Sequence, residues 1–307
     1  MLLWLDFSCS YTWILLFTTL FLGLVGAVDD YLKLRSKNYK GMRSLYKFLF
    51  QSVWAGLVIF YLQVPEVHHF FEATFSIKMP LIKDVLSEKM TILPLEDYMA
   101  RLYVPFFKEP VYIFSGLGIL GAVLFHAFVL VGSSNAVNLT DGLDGLASGL
   151  VIFVACVLTI FAFLSNHIEI ADYLNILYVD QSGQVAVFLA AIIGAVLGFL
   201  WFNSHPAEVF MGDIGSLSLG GILGVSALLL KRELLFGLVG ALFVIEALSV
   251  IIQVISYRYF NQRRVFRCAP LHHHFEYLGW PESKVVIRFW IVAFLLGLIG
   301  LVSIKFQ

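Results

Sequence analysis

Charged residues are scarce in this sequence. Asp, Glu, Lys and Arg make up 13% of its 307 residues, whereas hydrophobic residues make up 60%. Soluble globular domains contain about 25% charged residues, so the composition excludes an ordinary soluble domain. The formal net charge of −1 identifies no class of partner, and we expect no nucleic acid among the partners.

Cysteine is scarce as well. The sequence contains three, Cys9, Cys156 and Cys268, which lie far apart and without a Cys-x-x-Cys spacing. Their odd number and wide separation argue against a disulfide framework and a cysteine zinc site. We therefore expect buried or incidental thiols.

Long apolar runs, by contrast, are abundant. A helix needs about 20 residues to cross the roughly 30 Å of hydrocarbon in a bilayer. Lipid offers the backbone no hydrogen-bond partners, and the runs lack the two-residue alternation of a barrel, so we predict helices. The predicted fold is an all-α polytopic membrane protein, a single domain over residues 1–307, with eight spans near 8–28, 48–64, 111–131, 146–164, 184–202, 215–230, 234–256 and 287–304.

The connecting loops form two sets. The first set follows spans one, three, five and seven and comprises 29–47, 132–145, 203–214 and 257–286. It contains the dense clusters of Lys and Arg, and cytoplasmic loops carry an excess of these residues. We therefore predict that this set faces the cytoplasm and that both termini lie outside. Residues 65–110 are predicted to form a long external loop with some structure of its own.

Two aspartates close the first span, in the stretch VDDYLKLRSKNYKG, and lysines 33, 37 and 40 follow them. Adjacent residues on a helix point about 100° apart, so Asp29 and Asp30 are predicted not to share one face. One carboxylate would bind a cation, while the other would meet a basic side chain or a substrate proton. The alternative is a charge cluster that marks the membrane interface.

The stretch NLTDGLDGLA follows the third run. Asn138, Asp141 and Asp144 are spaced three residues apart, so a helix would place them along one stripe. Gly142 and Gly145 permit close approach of backbone or ligand. The spacing does not fit an EF-hand calcium loop. Ionisable residues in the interior of membrane proteins are functional by default, and helix capping is the alternative.

In FNSHPAEVFMGDIGSLSLGG, Asp213 precedes Gly215 and Ser216 at the start of a glycine-rich span. A carboxylate followed by small residues at a helix start suits a hydrated magnesium ion with phosphate oxygens nearby. Phe210 offers a ring face on which a nucleobase could stack, and a lipid-facing aromatic is the alternative. Asn203 is a further polar candidate.

Three consecutive histidines, His272 to His274, occur in RCAPLHHHFEYLGWPESKVVIRFW. They cannot all face one metal on a helix, which argues against a closed zinc site. Histidines beside a basic stretch suit phosphate recognition or proton transfer near neutral pH, and interface histidines on a loop are the alternative. No role is expected for the isolated histidines, His68, His69, His126, His167 and His205.

Glu246 lies inside the seventh run, and Ser249 and Gln253 follow it on the same helical face. An ionised glutamate facing lipid would cost a few kcal/mol. We therefore expect this face to look into a polar cavity or the bundle interior.

Acidic residues suited to magnesium thus share one membrane face with lysines and histidines. Phosphoryl transfer needs a metal, basic groups that hold phosphates, and alignment of the attack. These loops indicate a site where a soluble phosphorylated compound meets one embedded in the bilayer. A transporter or channel is the alternative, but it predicts polar residues throughout the bilayer depth.

Four stretches carry a family resemblance: DDYLK at 29–33, NAVNLTDGLDGLA at 135–147, NSHPAEVFMGDIGS at 203–216 and APLHHHFEYLGWPESKVVIRFW at 269–290. They closely resemble the phospho-N-acetylmuramoyl-pentapeptide transferases, within the polyprenyl-phosphate N-acetylhexosamine-1-phosphate transferase superfamily. The first three resemble the whole superfamily, whereas the histidine-rich stretch is more specific to the muramoyl-pentapeptide branch.

The resemblance implies a magnesium-dependent enzyme of the bacterial plasma membrane with its site facing the cytoplasm. Such an enzyme transfers phospho-MurNAc-pentapeptide from UDP-MurNAc-pentapeptide to undecaprenyl phosphate and yields lipid I and UMP. Transfer of GlcNAc-1-phosphate from UDP-GlcNAc is the closest alternative, which the histidine-rich stretch disfavours. The resemblance leaves a homodimer open.

The resemblance also assigns roles to residues. Asp213 is the expected magnesium ligand, and Asp29 and Asp30 match an aspartate pair of which one would deprotonate the lipid phosphate. His272, which like His273 matches a residue near the phosphates, is the fourth expected catalytic residue. The expected substrate-binding residues are Lys33, Lys47, Asn138, Asp141, Asp144, Asn203, Phe210, Gln253 and His273, with Phe210 at a uracil-stacking position and His273 near the phosphates.

Members of this family usually have ten spans, two more than the eight predicted here. The expected difference is N-terminal: two spans and a loop with a Pro-Thr-Met-Gly-Gly-like segment that borders the site. Two fewer spans leave the orientation of all later loops unchanged. The chain is therefore expected to be short at its N-terminus relative to the family, and its turnover is expected to be slow.

Overall fold

The structure is a computed structural model that describes residues 2–35, 41–84, 91–260 and 262–305. Lys37 and Lys40 of the predicted basic cluster lie outside these residues. After a short 3₁₀ helix, Leu2–Trp4, the described helices are α1 (Ser10–Arg35), α2 (Ser44–Gln63), α3 (Pro65–Phe75), α4 (Leu95–Met99), α5 (Gly118–Thr140), α6 (Leu146–Ser165), α7 (Ile168–Leu174), α8 (Ser182–Asn203), α9 (Gly212–Leu229), α10 (Glu233–Val239), α11 (Ala241–Tyr259), α12 (Leu271–Glu276) and α13 (Glu282–Lys305).

Eight of the described helices are long and apolar enough to cross a membrane: α1, α2, α5, α6, α8, α9, α11 and α13. They correspond one by one to the apolar runs of the sequence. The prediction of an all-α, multi-pass membrane protein is therefore confirmed.

Two predicted spans differ in detail from the helices. The third was expected to end at residue 131, but α5 continues to Thr140, because Asn135 finds partners inside the bundle. Its amide donates to the carbonyl of Val131 at 2.8 Å and to Gln51 Oε1 at 2.7 Å. The seventh was expected to be continuous, but Gly240 divides it into α10 and α11.

Helix α9 lies at the centre of the bundle, where every residue from Ser216 to Leu229 is buried. Its glycines allow this position, because a side chain at Gly220 or Gly224 would collide with α5 and one at Gly221 would collide with Leu22 of α1. Small residues let membrane helices approach closely enough for dense packing. The glycine face of α9 is thus covered by two neighbouring spans.

Short strands connect the spans at one end of the bundle. Strand β1 (Ile82–Asp84) pairs antiparallel with β2 (Thr91–Ile92) and with β5 (Tyr178–Val179), which precedes α8. Strands β3 (Arg101–Leu102) and β4 (Tyr112–Ile113) form a separate antiparallel pair. With α3 and α4, these strands confirm that the connection over 65–110 has structure of its own.

The turn between α9 and α10 lies at the same end and contains a buried ion pair. Lys231 Nζ lies 2.7 Å from Glu233 Oε1, 3.1 Å from His126 Nε2 and 3.3 Å from the carbonyl oxygen of Met99. Removing charges from water is costly unless each finds several partners. His126, for which the sequence predicted no role, belongs to this cluster and supplies one of the partners of Lys231.

Candidate active site

The opposite end of the bundle carries Asp29, Asp30 and Asp213, and we call it the aspartate end. It comprises the connections after α1, α5, α8 and α11, which lie within the first set of loops, 29–47, 132–145, 203–214 and 257–286. Residues of the four loops meet there through contacts such as those of Lys33 with Asp213 and of Asp144 with Glu282. The grouping of the loops is therefore confirmed, whereas the side of the membrane on which they lie stays a prediction.

Three carboxylates converge at the aspartate end. The ligand atoms of Asp29, Asp30 and Asp213 all lie within 4.8 Å of one another. Asp29 is fully buried, and Asp30 Oδ2 accepts the backbone N–H of Ile214 at 3.1 Å in the first turn of α9. A helix N-terminus favours a negative charge. The start of α9 thus helps to hold the acidic cluster.

Asp29 and Asp30 occupy adjacent positions of α1, yet both carboxylates lie close to Asp213, and which of the two would bind a cation stays a prediction. Both lie close to Asp213 because α1 approaches the start of α9 closely. A side chain at Gly26 would collide with the backbone of Asp213, and a Cβ at Gly212 would lie 2.7 Å from Asp30 Oδ2. Gly212 also has a φ of +64°, which favours glycine.

Two lysines lie among these carboxylates. Lys33 Nζ is 2.6 Å from Asp29 Oδ2, 3.0 Å from Asp213 Oδ2 and 3.3 Å from Asp30 Oδ1. Lys47 Nζ is 2.9 Å from Asp29 Oδ2 and also contacts Asp213 Oδ2. Three carboxylates against two ammonium groups leave a negative charge in the cluster, and carboxylate oxygens are the ligands that magnesium prefers.

Asn138, on the last turn of α5, orients Asp213. Its amide nitrogen donates to Asp213 Oδ1 at 2.9 Å and to Ser216 Oγ at 2.8 Å. On the other side of the cluster, the backbone N–H of Met42 donates to Asp29 Oδ1 at 2.6 Å. Side chains and backbone from three connections therefore fix the carboxylates.

Asn138, Asp141 and Asp144 do not form the stripe that a continuous helix would give. Helix α5 ends at Thr140, so Asp141 caps it and Asp144 lies in the following turn. Asp141 stays near the acidic cluster: burial, together with the charges of Asp213 and Asp30, raises the pKa of its carboxyl to about 6.

Asp144 belongs to a second group. Its Oδ2 accepts the backbone N–H of Ala207 at 3.0 Å and lies 3.3 Å from His205 Nδ1, while its own N–H donates to Glu282 Oε1 at 2.7 Å. No role was expected for His205, and Glu282 was not singled out. The place of His205 inside the motif at 203–216 was the signal that could have found it.

Asn203 and Phe210 differ in what they offer a ligand. Asn203 Oδ1 accepts Ser148 Oγ at 2.9 Å and the N–H of Gly145 at 3.2 Å, and its Nδ2 donates to the carbonyl of Val209 at 2.9 Å. Its amide is thus occupied in joining two connections. The Phe210 side chain is 77% exposed, so its ring faces are free to stack.

The histidines of α12 point in different directions, as predicted for a helix. His272 is fully buried, with Nδ1 3.1 Å from Glu246 Oε2, and its ring leaves no room for a side chain at Gly142. His273 Nδ1 lies 2.6 Å from Glu276 Oε2. The expectation that Glu246 faces the bundle interior is confirmed, since Glu246 is fully buried.

Gln253 does not reach the acidic cluster. Its Oε1 accepts the N–H groups of Val265 at 3.1 Å and Phe266 at 3.0 Å, and its Nε2 donates to the carbonyl of Phe266 at 3.0 Å. Gln253 thereby ties the loop after α11 back to that helix.

These features define a class of protein, a multi-pass membrane enzyme whose carboxylates, lysines and histidines converge at one end of a helical bundle. A family model described as glycosyl transferase family 4 matches residues 12–231. The chain belongs to this family and is a transferase.

Similarity to curated relatives extends along the whole chain. The chain is 54% identical over 318 residues to a protein of Protochlamydia amoebophila, covering 100% of this chain and 78% of the relative. It is 47% identical over 309 residues to one of Francisella tularensis, covering 99% and 75%, and 45% identical over 306 residues to one of Thermodesulfovibrio yellowstonii, covering 100% and 76%. Each relative is named a phospho-N-acetylmuramoyl-pentapeptide-transferase, so the resemblance found in the motifs is confirmed.

Proposed function

We propose that this protein transfers phospho-N-acetylmuramoyl-pentapeptide from its UDP derivative to undecaprenyl phosphate, yielding lipid I and UMP for peptidoglycan synthesis. The observation that carries the proposal is the convergence of three aspartates and two lysines at one end of a membrane bundle. The shared name of the relatives supports the substrate. An oxygen of the lipid phosphate bonds to the sugar-bound phosphorus, and the bond from that phosphorus to UMP breaks.

The acidic cluster fits a magnesium ion, because its ligand atoms are carboxylate oxygens within 4.8 Å of one another. Asp213 is the ligand that we assign first, since Asn138, Lys33 and Lys47 all hold its carboxylate. When bound, magnesium supplies neutralisation of the charge on the transferring phosphoryl group.

The two aspartates of α1 have different surroundings and therefore different roles. Asp29 is buried beneath Lys33 and Lys47 and accepts the N–H of Met42, so it positions the two lysines that hold phosphate oxygens. Asp30 is more exposed, with 28% of its side chain accessible. Asp30 is therefore the group that we expect to accept the proton of the lipid phosphate.

The remaining residues would surround the nucleotide and the phosphates. Phe210 presents an open ring face for the uracil, and Asp141 lies within electrostatic reach of Asp213. Asn203 has its amide fully engaged, so it is a positioning residue for the connections that bear Asp144 and Phe210. The ring of His272 packs against Gly142. His273 is more exposed, so it is the histidine that we expect to contact phosphates.

The positive charge of the loops supports an orientation of the bundle in the membrane. The connections of the aspartate end contain the dense clusters of Lys and Arg, and cytoplasmic loops carry such clusters. We place this end in the cytoplasm of a bacterium, where a soluble UDP derivative is supplied, and the bundle in its plasma membrane. A homodimer stays a prediction, which the mass of the purified complex in detergent would test.

The function is tested with the purified chain, undecaprenyl phosphate and magnesium, with UMP release as the readout. UDP-MurNAc-pentapeptide should release UMP, UDP-GlcNAc should not, and chelation of divalent cations by EDTA should abolish release. Equal use of both nucleotides would contradict the muramoyl assignment. Undiminished release in EDTA would contradict the magnesium site.

A further inference from the structure

A cavity of about 450 Å³ lies beside the last turns of α11. Its lining includes Arg258, Arg264 and Arg267, together with Tyr257 and Val254. None of these residues belongs to the acidic cluster or to the groups that surround it.

The loop that carries two of these arginines is tightly held. Besides the three bonds from Gln253, Ser256 Oγ donates to the carbonyl of Arg263 at 2.9 Å. The backbone N–H of Arg267 donates to His274 Nδ1 at 3.1 Å, and its guanidinium donates to the carbonyl of Tyr277 at 2.9 Å. The guanidinium groups are therefore presented on a fixed loop rather than on a free tail.

The cavity has an unbalanced positive charge. Within the ranges that the structure describes, no carboxylate forms an ion pair with Arg258, Arg264 or Arg267. A guanidinium presents a planar set of donors that matches a carboxylate or phosphate with two parallel hydrogen bonds. The ligand that complements this cavity is an anion with an apolar or aromatic neighbour.

The cavity also lies within reach of the acidic cluster. Ala269 lines it, and His272, three residues further along, packs against Gly142 beside Asp141. The three residues from Ala269 to His272 span at most about 11 Å, whereas an extended peptide of five residues spans about 17 Å. A pentapeptide attached to a sugar whose phosphate lies at the aspartates can therefore reach the arginines.

We propose that Arg258 and Arg264, with Arg267 beside them, bind the free carboxylate at the end of the peptide of the nucleotide substrate. This inference rests on the proposed function and adds a determinant of substrate choice to it. The peptide would run from the acidic cluster past His272 to the cavity, and Tyr257 and Val254 would pack against its apolar side chains.

The test measures KM separately for the nucleotide and for undecaprenyl phosphate, in neutral detergent without anionic lipid. Two nucleotide substrates are compared, one with a free peptide carboxylate and one with that carboxylate amidated. Unmodified protein should show about a tenfold higher KM for the amide, because a charge-assisted bidentate contact is lost. This comparison needs no variant, so it stands even where a substitution impairs folding.

The double variant Arg258→Gln, Arg264→Gln should raise KM for the free carboxylate by about tenfold or more and leave KM for the amide and kcat nearly unchanged. Arg263→Gln is the matched control, since Arg263 lies on the same loop and does not line the cavity. Equal KM values for both nucleotides in the unmodified protein, or an increased KM for undecaprenyl phosphate in the variant, would overturn the proposal. Absence of UMP release from every substrate would instead overturn the proposed function itself.

Discussion

Asp213 has the densest set of partners in the acidic cluster. Asn138, Lys33 and Lys47 all bind its carboxylate, and removal of its charge would leave both lysines with one anionic partner fewer. We expect Asp213→Asn to lower kcat for UMP release by roughly a thousandfold or more, as losses of preorganised electrostatic groups do. Asp172→Asn, an exposed change at the opposite end, is the control, and near-normal turnover of the Asp213 variant would remove Asp213 from the site.

Asp141 predicts a dependence of stability on pH. Burial, together with the charges of Asp213 and Asp30, raises the pKa of its carboxyl from 3.8 to about 6, so the folded state carries an unfavourable charge above pH 6 and loses it below. Asp141→Asn should therefore stabilise the fold at pH 8, by up to about 3 kcal/mol at 1.4 kcal/mol per pKa unit. The gain should fade toward pH 4.

Thermal unfolding in detergent with EDTA at pH 8 and pH 5 measures this difference. Asp97→Asn, an exposed change on α4, is the control. A gain that is larger at pH 5 than at pH 8 would have the wrong sign and would contradict the buried carboxylate.

At the scale of residues, the motifs indicated which side chains would lie together but not the geometry of their contacts. The sequence singles out Asp29, Asp30, Asp213 and Asn138, because charge and amide groups are rare in so apolar a chain, and the fold brings these four side chains together. The bond from Asp144 N–H to Glu282 could not be foreseen, since the two residues are separated by 138 positions. It depends on where the start of α13 packs.

At the scale of elements, the close contact between α1 and α9 depends on one glycine. A methyl group at Gly26 would collide with the Asp213 backbone, and overpacking of this kind costs about 1–3 kcal/mol. We expect Gly26→Ala to lower the melting temperature and to reduce UMP release at least tenfold, because it pushes the start of α9 away from Asp29 and Asp30.

Gly23→Ala provides a matched control on the same helix, because its Cβ would meet nothing within 4 Å. Alanine favours helix by about 1 kcal/mol over glycine, so this variant should be as stable as the parent or more so. Equal behaviour of the two variants in melting and in turnover would contradict the close packing of α1 on α9.

The spans themselves were largely predictable, because twenty apolar residues in lipid have few alternatives to a helix. The end of α5 and the division of the seventh span at Gly240 could not be predicted from hydropathy. Hydropathy ends a span where polar residues begin, but Asn135 and Asn138 find partners inside the bundle and the helix continues. At Gly240 an apolar run continues where the helix does not.

At the scale of the whole molecule, the scarcity of cysteine allows a test of orientation. Cys268 lies at the aspartate end and Cys9 at the opposite end, next to the start of α1. Burial also raises the pKa of the Cys9 thiol to about 11, so Cys9 should react slowly near neutral pH.

A membrane-impermeant maleimide should therefore label the protein in inside-out vesicles far more than in right-side-out vesicles. Cys268→Ser should abolish the difference. Stronger labelling of right-side-out vesicles, lost in the same variant, would reverse the assignment of the aspartate end to the cytoplasm.

The buried turn between α9 and α10 has a consequence for the electrical properties of the membrane. Ile222, Val225 and Leu228 of α9 are almost fully buried between the charged groups of the two ends. The far end is closed by the Lys231–Glu233 pair, and the buried Arg232 lies beside it over the rings of Tyr103 and Phe161. Ions that enter the open carboxylate cluster would meet an apolar barrier before that pair. The protein should thus bind highly charged nucleotides at one face of the membrane without conducting protons across the bilayer.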